Sequence, residues 1–397
     1  MTAYVLVLNA GSSSLKYQLL EPDSGRVAVK GIVERIGSTG GGTAGGSMGN
    51  TADYASALAT AREEMSVAGF DPHAVDLRAI GHRVVHGGER FREPTLITPD
   101  VLQTIRDLIP LAPLHNPANA ALIECTIDAF PTLPQVAVFD TAFFAALPEV
   151  AATYAIDRDL ARQYGIRRYG FHGISHDYVS RAAAAYLGRP YAELRQIVLH
   201  LGNGASASAI AGGRPLDTSM GLTPLEGLVM GSRGGDVDPG VLIHLMRAAH
   251  LDADGLEDLL SRHSGMKGLT GTVDLRDVHR QIAAGGVDAQ QAELALDIYT
   301  RRLRKYIGAY HAILGRLDTL IFTAGVGEND STVRARATEN LTALGISIDP
   351  ERNAAGPEAS SAAARIISPD GSPVTVLVVP TNEELAIARQ AAALIGG

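Results

Sequence analysis

Two segments of the sequence repeat one pattern, in which an apolar run enters a turn of Asn, Gly and Ser and the chain then returns along a second run. The first segment, residues 5–20, reads VLVLNAGSSSLKYQLL, and the second, residues 196–213, reads QIVLHLGNGASASAIAGG. Apolar, β-branched runs around such a turn predict β-hairpins. A third strand, within DTLIFTAGVGEN from Asp318, also ends in glycines. The repetition predicts a duplicated α/β architecture with one nucleotide between its halves.

Helical patterns fill much of the sequence between these strands. Residues 55–66 are expected to form a helix, and the helix after the third strand is expected to start near Asp330 or Ser331 and to stop at Gly345. A longer helix is predicted by apolar residues at helical spacing, namely Ala295, Tyr299, Leu303, Tyr306, Ile307 and Tyr310. The final VTVLVVPTNEELAIARQAAALI predicts a strand followed by a helix. Residues 37–50, with seven glycines, predict a surface loop.

The composition is typical of a globular protein rather than a disordered or membrane one. The chain has 397 residues, of which 46% are hydrophobic and 19% charged, so it has room for two domains. No apolar run approaches the roughly 18 residues of a membrane span, and no basic segment precedes the first apolar run. The single cysteine, Cys125, excludes an intramolecular disulfide and a thiolate metal site. The net charge of −9 argues against nucleic acid as the main partner, and a cytoplasmic location is expected.

The two hairpin turns are candidates for phosphate binding. In the first turn, glycine-flanked backbone N–H groups, the hydroxyls of Ser12 and Ser14 and the ammonium of Lys16 suit phosphate oxygens. The second turn, residues 200–204, offers a similar loop for the other end of a polyphosphate. The alternative is an ordinary hairpin turn, because Asn, Gly and Ser are common in turns anyway. Neither turn has the G-x-x-x-x-G-K-[ST] or G-x-G-x-x-G spacing.

Charged residues beside the predicted strands each have two interpretations. Arg83, between β-branched residues, needs an anion, which is either an internal carboxylate or a substrate. Asp140 follows an apolar strand, where it can serve a ligand site or cap a helix. Glu383 and Glu384 start a helix, where they interact with the helix dipole or hold a cation. His115 stands in a Pro-flanked loop, where a capping or turn role is the default.

Glycine-rich segments carry the remaining candidates. His172 and His176 are four residues apart, as in a helical metal pair, but the neighbouring glycines predict a turn at His172 and argue against zinc. Arg233, among glycines, is expected to be exposed and to reach into a cleft or lie in a surface loop. Asp274 and Arg276 form, by default, an internal salt bridge. Together these groups suit phosphoryl transfer, in which positioning and charge neutralisation do most of the catalysis.

The sequence resembles the acetate kinase family along nearly its whole length. The resemblance is carried, in order, by NAGSSSLKY, GHRVVHGGE, LAPLHNP, FDTAF, YGFHGISH, HLGNG, SMGLTPLEGL, MGSRGGDVDPG, DLRD, FTAGVGEN and PTNEELAIA. It implies a duplicated actin-like, ribonuclease H-like ATPase fold of the sugar kinase and Hsp70 superfamily, with a nucleotide cleft between two domains. The first domain would comprise residues 1–143 plus 381–397, and the second, with most of the adenosine site, residues 144–380. The implied reaction is reversible, ATP-dependent phosphorylation of acetate to acetyl phosphate by a homodimer.

The resemblance also implies a role for each candidate residue. The catalytic residues would be Asp140, His172, Arg233 and Arg83. The acyl substrate would contact Arg83, Val85, Leu114, His115, Phe171 and Pro224. ATP or ADP would contact Ser12, Ser14, Lys16, His200, Leu201, Gly202, Asn203, Gly204, Asp274, Leu275, Arg276, Gly325, Val326, Gly327, Glu328 and Asn329. Mg²⁺, with Mn²⁺ as a substitute, would be held by Asn9 and Glu383.

The usual proton-transfer role of Asp140 is not required by the chemistry. A carboxylate acceptor has a pKa of about 4 to 5 and is already ionised at neutral pH, so Asp140 is expected to orient an arginine or a metal-bound water. Propionate is the alternative acceptor, because one methylene in an apolar pocket changes binding by only about 1 to 3 kcal/mol. The alternative from another class is a non-catalytic, actin-like nucleotide-binding or filament-forming protein. Such a protein would have no reason to keep Arg83, His172 and Arg233 together.

Overall fold

The computed structural model describes residues 3–11, 13–36, 51–356 and 364–396. The chain divides into unit 1, Met1–Ala145 with Asn382–Gly397, and unit 2, Ala146–Thr381. Each unit contains one six-stranded mixed sheet with helices packed on it. The glycine-rich loop predicted at residues 37–50 and the candidate residue Ser12 lie outside the described residues.

The sheet of unit 1 contains the first predicted hairpin. Its strands are β1 (Tyr4–Ala10), β2 (Ser14–Leu20), β3 (Val27–Glu34), β4 (Leu77–Val84), β5 (Thr95–Leu96) and β6 (Gln135–Phe139). Its helices are α1 (Thr51–Val67), α2 (Pro99–Asp107), α3 (Asn116–Ala129) and, at the other end of the chain, α15 (Glu383–Gly396). Val5 faces Leu20 and Asn9 faces Lys16 in the antiparallel β1–β2 pair, which confirms the predicted hairpin.

The sheet of unit 2 contains the second predicted hairpin. Its strands are β7 (Arg195–Leu201), β8 (Ala205–Ala211), β9 (Arg214–Thr218), β10 (Thr319–Thr323), β11 (Arg365–Ile366) and β12 (Thr375–Val378). Its helices are α4 (Glu149–Ala152), α5 (Arg158–Gln163), α6 (Gly173–Tyr186), α7 (Pro239–Ala248), α8 (Ala253–Arg262), α9 (Gly265–Thr270), α10 (Leu275–Ala284), α11 (Gly286–Leu314), α12 (Ala324–Asn329), α13 (Ser331–Thr338) and α14 (Pro350–Ala354). β7 and β8 pair antiparallel along their whole length, as the sequence predicts.

The two sheets have the same strand order and the same strand directions. The order is β3-β2-β1-β4-β6-β5 in unit 1 and β9-β8-β7-β10-β12-β11 in unit 2. In each sheet the first three strands of this spatial order form an antiparallel meander. The next two strands, β4 and β6 in unit 1 and β10 and β12 in unit 2, run parallel to the neighbouring meander strand, which is β1 or β7. The last strand, β5 or β11, is antiparallel to its neighbour. The duplicated α/β architecture predicted from the two hairpins is confirmed. In both units the parallel strands bring several carboxyl ends to one edge of the sheet.

The helix after β10 ends earlier than predicted. α13 begins at Ser331 as expected, but the predicted end at Gly345 is wrong because the helix stops at Thr338. Asn340 has a left-handed φ of 61°, and a short 3-10 helix at Thr342–Leu344 precedes Gly345. The glycine at the end of the segment therefore terminates the 3-10 helix and not α13.

The glycines that follow β10 belong to a helix that the sequence did not predict. In α12 the carboxylate of Glu328 accepts a hydrogen bond from the backbone N–H of Ala324 at 2.9 Å, which satisfies one donor in the first helical turn. The same oxygen of Glu328 accepts from the N–H of Thr381 at 3.1 Å. Ala324 has a φ of 64°, a conformation that costs a non-glycine residue about 1 to 2 kcal/mol. The carboxylate of Glu328 therefore stabilises the start of α12 and ties it to the backbone at Thr381.

The core of unit 1 explains why its sheet and helices adopt this arrangement. Alternate residues of β1, such as Leu6 and Leu8, are buried together with Leu19 of β2 and Tyr54 of α1. Each such side chain contributes about 1.5 to 3 kcal/mol on burial. Within the described residues, no helix is long and apolar enough to span a bilayer.

Candidate active site

Three neighbouring strands of unit 1 carry polar side chains at their carboxyl ends. Asn9 of β1 faces Arg83 of the parallel strand β4, and Asp140 directly follows β6. Arg83 donates from Nη2 to Asp140 Oδ2 at 2.5 Å and from Nε to Oδ1 at 3.1 Å. Its Nη1 also lies 3.4 Å from Asn9 Oδ1. The structure thus brings three predicted site residues together where ligands of α/β proteins usually bind.

Glu383, at the first position of α15, points its carboxylate toward this group. The helix is capped instead by Asn382, whose Oδ1 accepts a hydrogen bond from the N–H of Leu385 at 3.0 Å. Glu383 Oε2 lies 3.7 Å from Arg83 Nε. Burial raises the pKa of Glu383, and Glu384 adds to this rise, although Arg83 opposes it. Capping therefore does not account for Glu383, which is placed beside a charged cluster.

Carboxyl groups around Arg83 favour its charged form. Burial alone would lower the pKa of Arg83, but Asp140 and Glu383 raise it above its ordinary value, so the guanidinium is always charged. Lys16 of β2 faces Asn9 across the hairpin and also acts electrostatically on Glu383. Ser14, at the start of β2, is half-buried. Strand β2 thus supplies a second cation, Lys16, near this group.

The donor atoms of this cluster fit a magnesium ion in kind. Mg²⁺ prefers oxygen ligands and is usually bound by one or two carboxylates plus substrate phosphates and water. Asn9 and Glu383 offer an amide and a carboxylate oxygen, and Asp140 lies beside them. Among the described residues there is no cluster of three or more His, Cys, Asp and Glu side chains suited to a metal. A cation here would therefore depend on phosphate and water for its remaining ligands.

The residues predicted to contact the acyl group occur in both units. In unit 1, Val85 is buried, whereas Leu114 and His115, which precede α3, are half-buried. In unit 2, Phe171 is buried and Pro224 is half-buried. His115 occupies the N-cap position of α3, as its default interpretation requires, but its side chain makes no capping hydrogen bond.

Two asparagines of α3 fix the loop that contains Val85, and sequence reasoning missed both. Asn119 Oδ1 accepts from the N–H of Val85 at 3.1 Å, and Asn116 Oδ1 accepts from the N–H of His86 at 3.1 Å. Asn116 also donates to the carbonyl oxygen of His86 at 3.1 Å. The signal available in the sequence was the presence of two asparagines, Asn116 and Asn119, in the apolar segment that follows His115. The hydrogen bonds of Asn116 and Asn119 hold the backbone of Val85 and His86 against the start of α3.

Unit 2 contains a cavity of about 700 Å³ next to the second hairpin turn. The predicted nucleotide-binding residues that line it are Gly202, Asn203, Asp274, Leu275, Arg276, Gly325, Val326 and Asn329. These residues come from the β7–β8 turn, the start of α10 and α12, so three separate segments meet around one space. Asp274 caps α10 by accepting from the N–H of Arg276 at 2.9 Å and also pairs with its guanidinium at 2.6 Å. The predicted salt bridge is present, and the pair stands at the cavity.

Five predicted nucleotide residues of unit 2 do not line this cavity. They are His200, Leu201, Gly204, Gly327 and Glu328. Leu201 and Gly327 are buried in the packing between β7 and α12. Glu328 braces the backbone, as described above, and burial raises the pKa of its carboxyl group, although its two backbone donors oppose this. Leu201, Gly327 and Glu328 therefore support the cavity without lining it.

Several residues that line the cavity were not predicted from the sequence. They are Gly231, Met266, Val273, His279, Tyr299, Asp330, Ser331 and Thr332. His279 donates a hydrogen bond from Nε2 to Asp330 Oδ2 at 2.7 Å. The hydroxyl of Tyr299 is buried and has no hydrogen-bond partner in the described part of the chain. The spacing of His279, four residues after Leu275 on α10, was a usable signal because such residues share a helix face.

His172 and Arg233 converge on Gly204 at the end of the second hairpin turn. A β-carbon at Gly204 would lie 3.3 Å from Arg233 Nη2 and 3.4 Å from His172 Nε2. Arg233 donates to the carbonyl oxygen of Pro224 at 2.8 Å and makes no ion pair within the described residues. Burial lowers the pKa of Arg233. Contrary to the expectation from its glycine-rich loop, Arg233 is half-buried.

His172 immediately precedes α6 and has a left-handed φ of 58°. The turn predicted there is confirmed, and the positive φ is uncommon for a residue other than glycine, which often marks a functional site. His172 Nδ1 lies 2.9 Å from Ser206 Oγ. His176 binds Ser206 and Ser208 through its two ring nitrogens, so the geometry does not favour a zinc pair.

Nearly the whole chain matches one protein family. The model of the acetokinase family matches residues 4–389. The chain belongs to the acetokinase family. An acetate kinase of Leifsonia xyli subsp. xyli is 57% identical over 394 residues, which is 98% of each chain. Among solved structures, an acetate kinase of Porphyromonas gingivalis is 42% identical with a TM-score of 0.90, covering 99% of this chain and 100% of that one. A propionate kinase from Francisella tularensis subsp. tularensis SCHU S4 is 37% identical with a TM-score of 0.87, covering 98% and 99%.

Membership of the acetokinase family defines the class of chemistry. The chain is a phosphotransferase, and its nucleotides are ATP and ADP. The duplicated sheets also agree with the solved acetokinase structures over almost the full length.

Proposed function

We propose that the chain catalyses the reversible, ATP-dependent phosphorylation of acetate to acetyl phosphate by direct in-line transfer. The observation that carries the proposal is the convergence of Arg233 and His172 over Gly204. A half-buried guanidinium without a carboxylate partner is suited to an anion, and the adjacent imidazole supplies another donor. The terminal phosphoryl group of ATP is an anion that matches this pair in charge and in donor number.

The nucleotide is proposed to occupy the cavity of unit 2. Gly202 and Asn203 line this cavity and belong to the same turn as Gly204. Adenosine in the cavity would therefore have its phosphates along the turn, with the terminal one at Arg233 and His172. The glycines of the turn allow the backbone to approach the phosphates closely.

The acceptor carboxylate is proposed to bind Arg83. Asp140 uses Nε and Nη2 of Arg83, and a guanidinium has five N–H donors, so donors remain for a second anion. Asp140 then fixes the orientation of the guanidinium and performs no proton transfer. This assignment also agrees with the chemistry, because the acceptor is already ionised at neutral pH.

Charge neutralisation is the main catalytic task in this proposal. Two unit charges 4 Å apart repel by about 1 kcal/mol in water and about 4 kcal/mol at an effective dielectric constant of 20. Arg83 and Lys16 supply positive charge in unit 1, and Arg233 supplies it in unit 2. Mg²⁺ held by Asn9 and Glu383 would supply two further positive charges to the phosphate oxygens.

Propionate is the second candidate acceptor. The similarity to a propionate kinase at 37% identity favours it, and Val85, Leu114, Phe171 and Pro224 are the residues proposed to contact the acyl chain. One methylene changes binding to an apolar pocket by only about 1 to 3 kcal/mol, so both acids can serve as substrates at different rates. Acetate is the proposed preference because of the acetate kinase at 57% identity.

Trapping of the acyl phosphate with hydroxylamine tests the activity. The protein is incubated with ATP, Mg²⁺ and formate, acetate, propionate or butyrate, and the hydroxamate is measured. We expect the highest kcat/KM with acetate and loss of the signal in the Arg233→Ala variant. Higher kcat/KM with propionate would support the second candidate. An absent signal with every acid, with ATP still bound, would favour a non-catalytic nucleotide-binding protein.

We also propose that the chain forms a homodimer through α7 and acts in the cytoplasm. No residue of α7 is buried, and its apolar side chains Val241, Ile243 and Met246 are 45%, 49% and 46% exposed. Isolated apolar residues are common on surfaces, but a helix whose apolar residues all stay accessible is typical of an interface. Light scattering should show a dimer for the native chain and a monomer for Ile243→Glu. A native monomer at micromolar concentration would contradict the dimer.

A further inference from the structure

Three buried side chains of unit 2 form a continuous series of hydrogen bonds that ends at the half-buried His172. His172 Nδ1 lies 2.9 Å from Ser206 Oγ, and the same oxygen lies 2.7 Å from His176 Nε2. His176 Nδ1 then lies 2.7 Å from Ser208 Oγ. Ser206 and Ser208 stand two residues apart on β8, so both point to the face on which α6 packs. We name this group, His172–Ser206–His176–Ser208, the serine–histidine chain.

The serine–histidine chain has only two consistent directions. Burial, with a further contribution from His200, lowers the pKa of His176 well below its ordinary value, so its ring is neutral. A neutral imidazole has one N–H and one acceptor nitrogen. If His176 donates to Ser206, the hydroxyl of Ser206 donates to His172 Nδ1. If His176 donates to Ser208, Ser206 donates to His176, and His172 must donate to Ser206.

The proposed role of His172 selects the first direction. Phosphoryl oxygens accept hydrogen bonds, so His172 can bind the transferred group, beside Arg233 Nη2 at Gly204, only with a proton on Nε2. The ring of His200 stacks on His172 with centroids 4.3 Å apart and is bound through Nδ1 to Ser175, so it forms a separate branch. A neutral His172 that accepts at Nδ1 carries its proton on Nε2.

We propose that Ser206, His176 and Ser208 are positioning residues that hold His172 with its Nε2–H directed at the transferred phosphoryl group. Ser206 supplies the proton donor at Nδ1, His176 orients the hydroxyl of Ser206, and Ser208 orients His176. No proton leaves the serine–histidine chain during the reaction. Each of its four side chains keeps its own hydrogen, and the hydrogen bonds fix only the orientation of the side chains. This inference rests on the proposed role of His172 in phosphoryl transfer. It adds that the tautomer of His172 is set by residues that do not contact substrate.

Imidazole nitrogen NMR on the whole protein tests the tautomer without any need for activity. At pH 8, ¹⁵N-labelled protein should show His172, assigned with His172→Asn, as the Nε2–H tautomer with an acceptor shift at Nδ1. In Ser206→Ala, averaged shifts from both tautomers are expected, because the donor at Nδ1 is gone. An Nδ1–H tautomer or an imidazolium for His172 in the native protein would overturn the inference. So would unchanged His172 shifts in Ser206→Ala.

Steady-state kinetics provide the second measurement. Ser206→Ala should lower kcat about tenfold while KM for ATP and acetate stays within about twofold, since misplacement of a catalytic group costs turnover more than binding. Ser206→Thr, which keeps the hydroxyl, should recover most of kcat. Ser208→Ala, at the far end of the serine–histidine chain, should lower kcat about threefold and keeps the test open if a variant at Ser206 fails to fold.

Ser180→Ala is the matched control, because Ser180 is also fully buried and lies on α6 but binds Tyr191 instead of His172. Its kcat should equal that of the native protein. Equal losses in Ser180→Ala and Ser206→Ala, or a native kcat in Ser206→Ala, would overturn the inference. If the native protein shows no kinase activity, the proposed function fails, while the NMR result still decides the tautomer.

Discussion

Asp140 accepts two hydrogen bonds from Arg83, one from Nη2 at 2.5 Å and one from Nε at 3.1 Å. The side chain of Asp140 is 2% exposed, so its carboxylate needs charge compensation, which Arg83 supplies. A bidentate pair of this kind fixes the plane of the guanidinium and hence the direction of the N–H groups that remain.

Asp140→Asn should therefore raise KM for the acyl substrate about tenfold, because an amide offers one acceptor where the carboxylate offers two. The shape of the pH profile of kcat should stay unchanged, since no proton transfer is assigned to this residue. Initial rates at varied acetate concentration from pH 6 to pH 9 provide the measurement. A shifted pH profile with an unchanged KM would instead assign Asp140 to proton transfer.

Replacement of Arg83 and of Arg233 by alanine should have different effects on the free energy of unfolding but the same effect on activity. Arg83→Ala removes the guanidinium that pairs with the buried carboxylate of Asp140 and should lower the free energy of unfolding by about 3 kcal/mol. Arg233→Ala removes a half-buried cation that has no carboxylate partner in the described part of the chain, so the free energy of unfolding should stay the same or rise. Both variants should lose at least about 100-fold in kcat/KM.

Urea unfolding and initial rates on both variants separate the two effects. Each arginine acts as the control for the other, because the same charge is removed in a different environment. A large loss of stability in Arg233→Ala would show that Arg233 has a structural role, and it would weaken the proposed phosphoryl site.

The sheet of each unit was predictable from the sequence because strand pairing follows from local signals. The turn between Asn9 and Lys16 sets the register of β1 and β2, and the same holds for β7 and β8. Asn9, Arg83 and Asp140 could be expected near one another, since each stands at the carboxyl end of a strand. The resemblance to acetate kinases supplied their roles, which the strands alone do not specify.

Other parts of the site depend on atoms whose partners lie far away in the sequence. The apolar stripe of α11 predicted burial of Tyr299, but a stripe cannot reveal whether a buried hydroxyl has a partner. The capping of α15 by Asn382, which leaves Glu383 beside Arg83, depends on the packing of this helix on β4. His176 meets Ser206 and Ser208 only because α6 packs on the β7–β8 hairpin. Periodicity gives the buried face of an element, and the partner of each polar atom follows from packing.

The stability of unit 1 should fall in mild acid because of His82. Its Nε2 donates to Gln135 Oε1 at 2.6 Å within the sheet, and burial lowers the pKa of His82 from 6.5 to about 4, although the bond to Gln135 opposes this. The unfolded chain therefore binds a proton between these two values while the folded chain does not. The contribution of neutral His82 to stability is complete above its pKa in the unfolded chain, 6.5, and is lost as the pH falls toward its pKa in the folded chain, about 4.

This linkage should cost about 2 kcal/mol of unfolding free energy between pH 7.5 and pH 5. Urea unfolding at both pH values measures the change, and His82→Gln is the comparison because it cannot titrate in this range. The variant should lose about 2 kcal/mol less than the native protein over the same interval. Parallel pH dependences for the two proteins would show that His82 does not titrate in this way.

Tyr299→Phe should weaken nucleotide binding without loss of stability. The hydroxyl of Tyr299 is buried, has no partner in the described part of the chain and belongs to the lining of the 700 Å³ cavity. Burial raises the pKa of this hydroxyl, with Asp330 adding to the rise, so it remains a proton donor. If it donates to bound nucleotide, its removal should raise KM for ATP about fivefold, the value of one hydrogen bond of about 1 kcal/mol.

Tyr310→Phe is a matched control on the same helix. Tyr310 is also 2% exposed, and its hydroxyl also lacks a partner within the described residues, but it does not line the cavity. Both variants should unfold at an equal or higher urea concentration than the native protein, because each removes a buried polar group that is not hydrogen-bonded. Only Tyr299→Phe should change KM for ATP. The same KM in Tyr299→Phe and the native protein would mean that the nucleotide does not reach this end of the cavity.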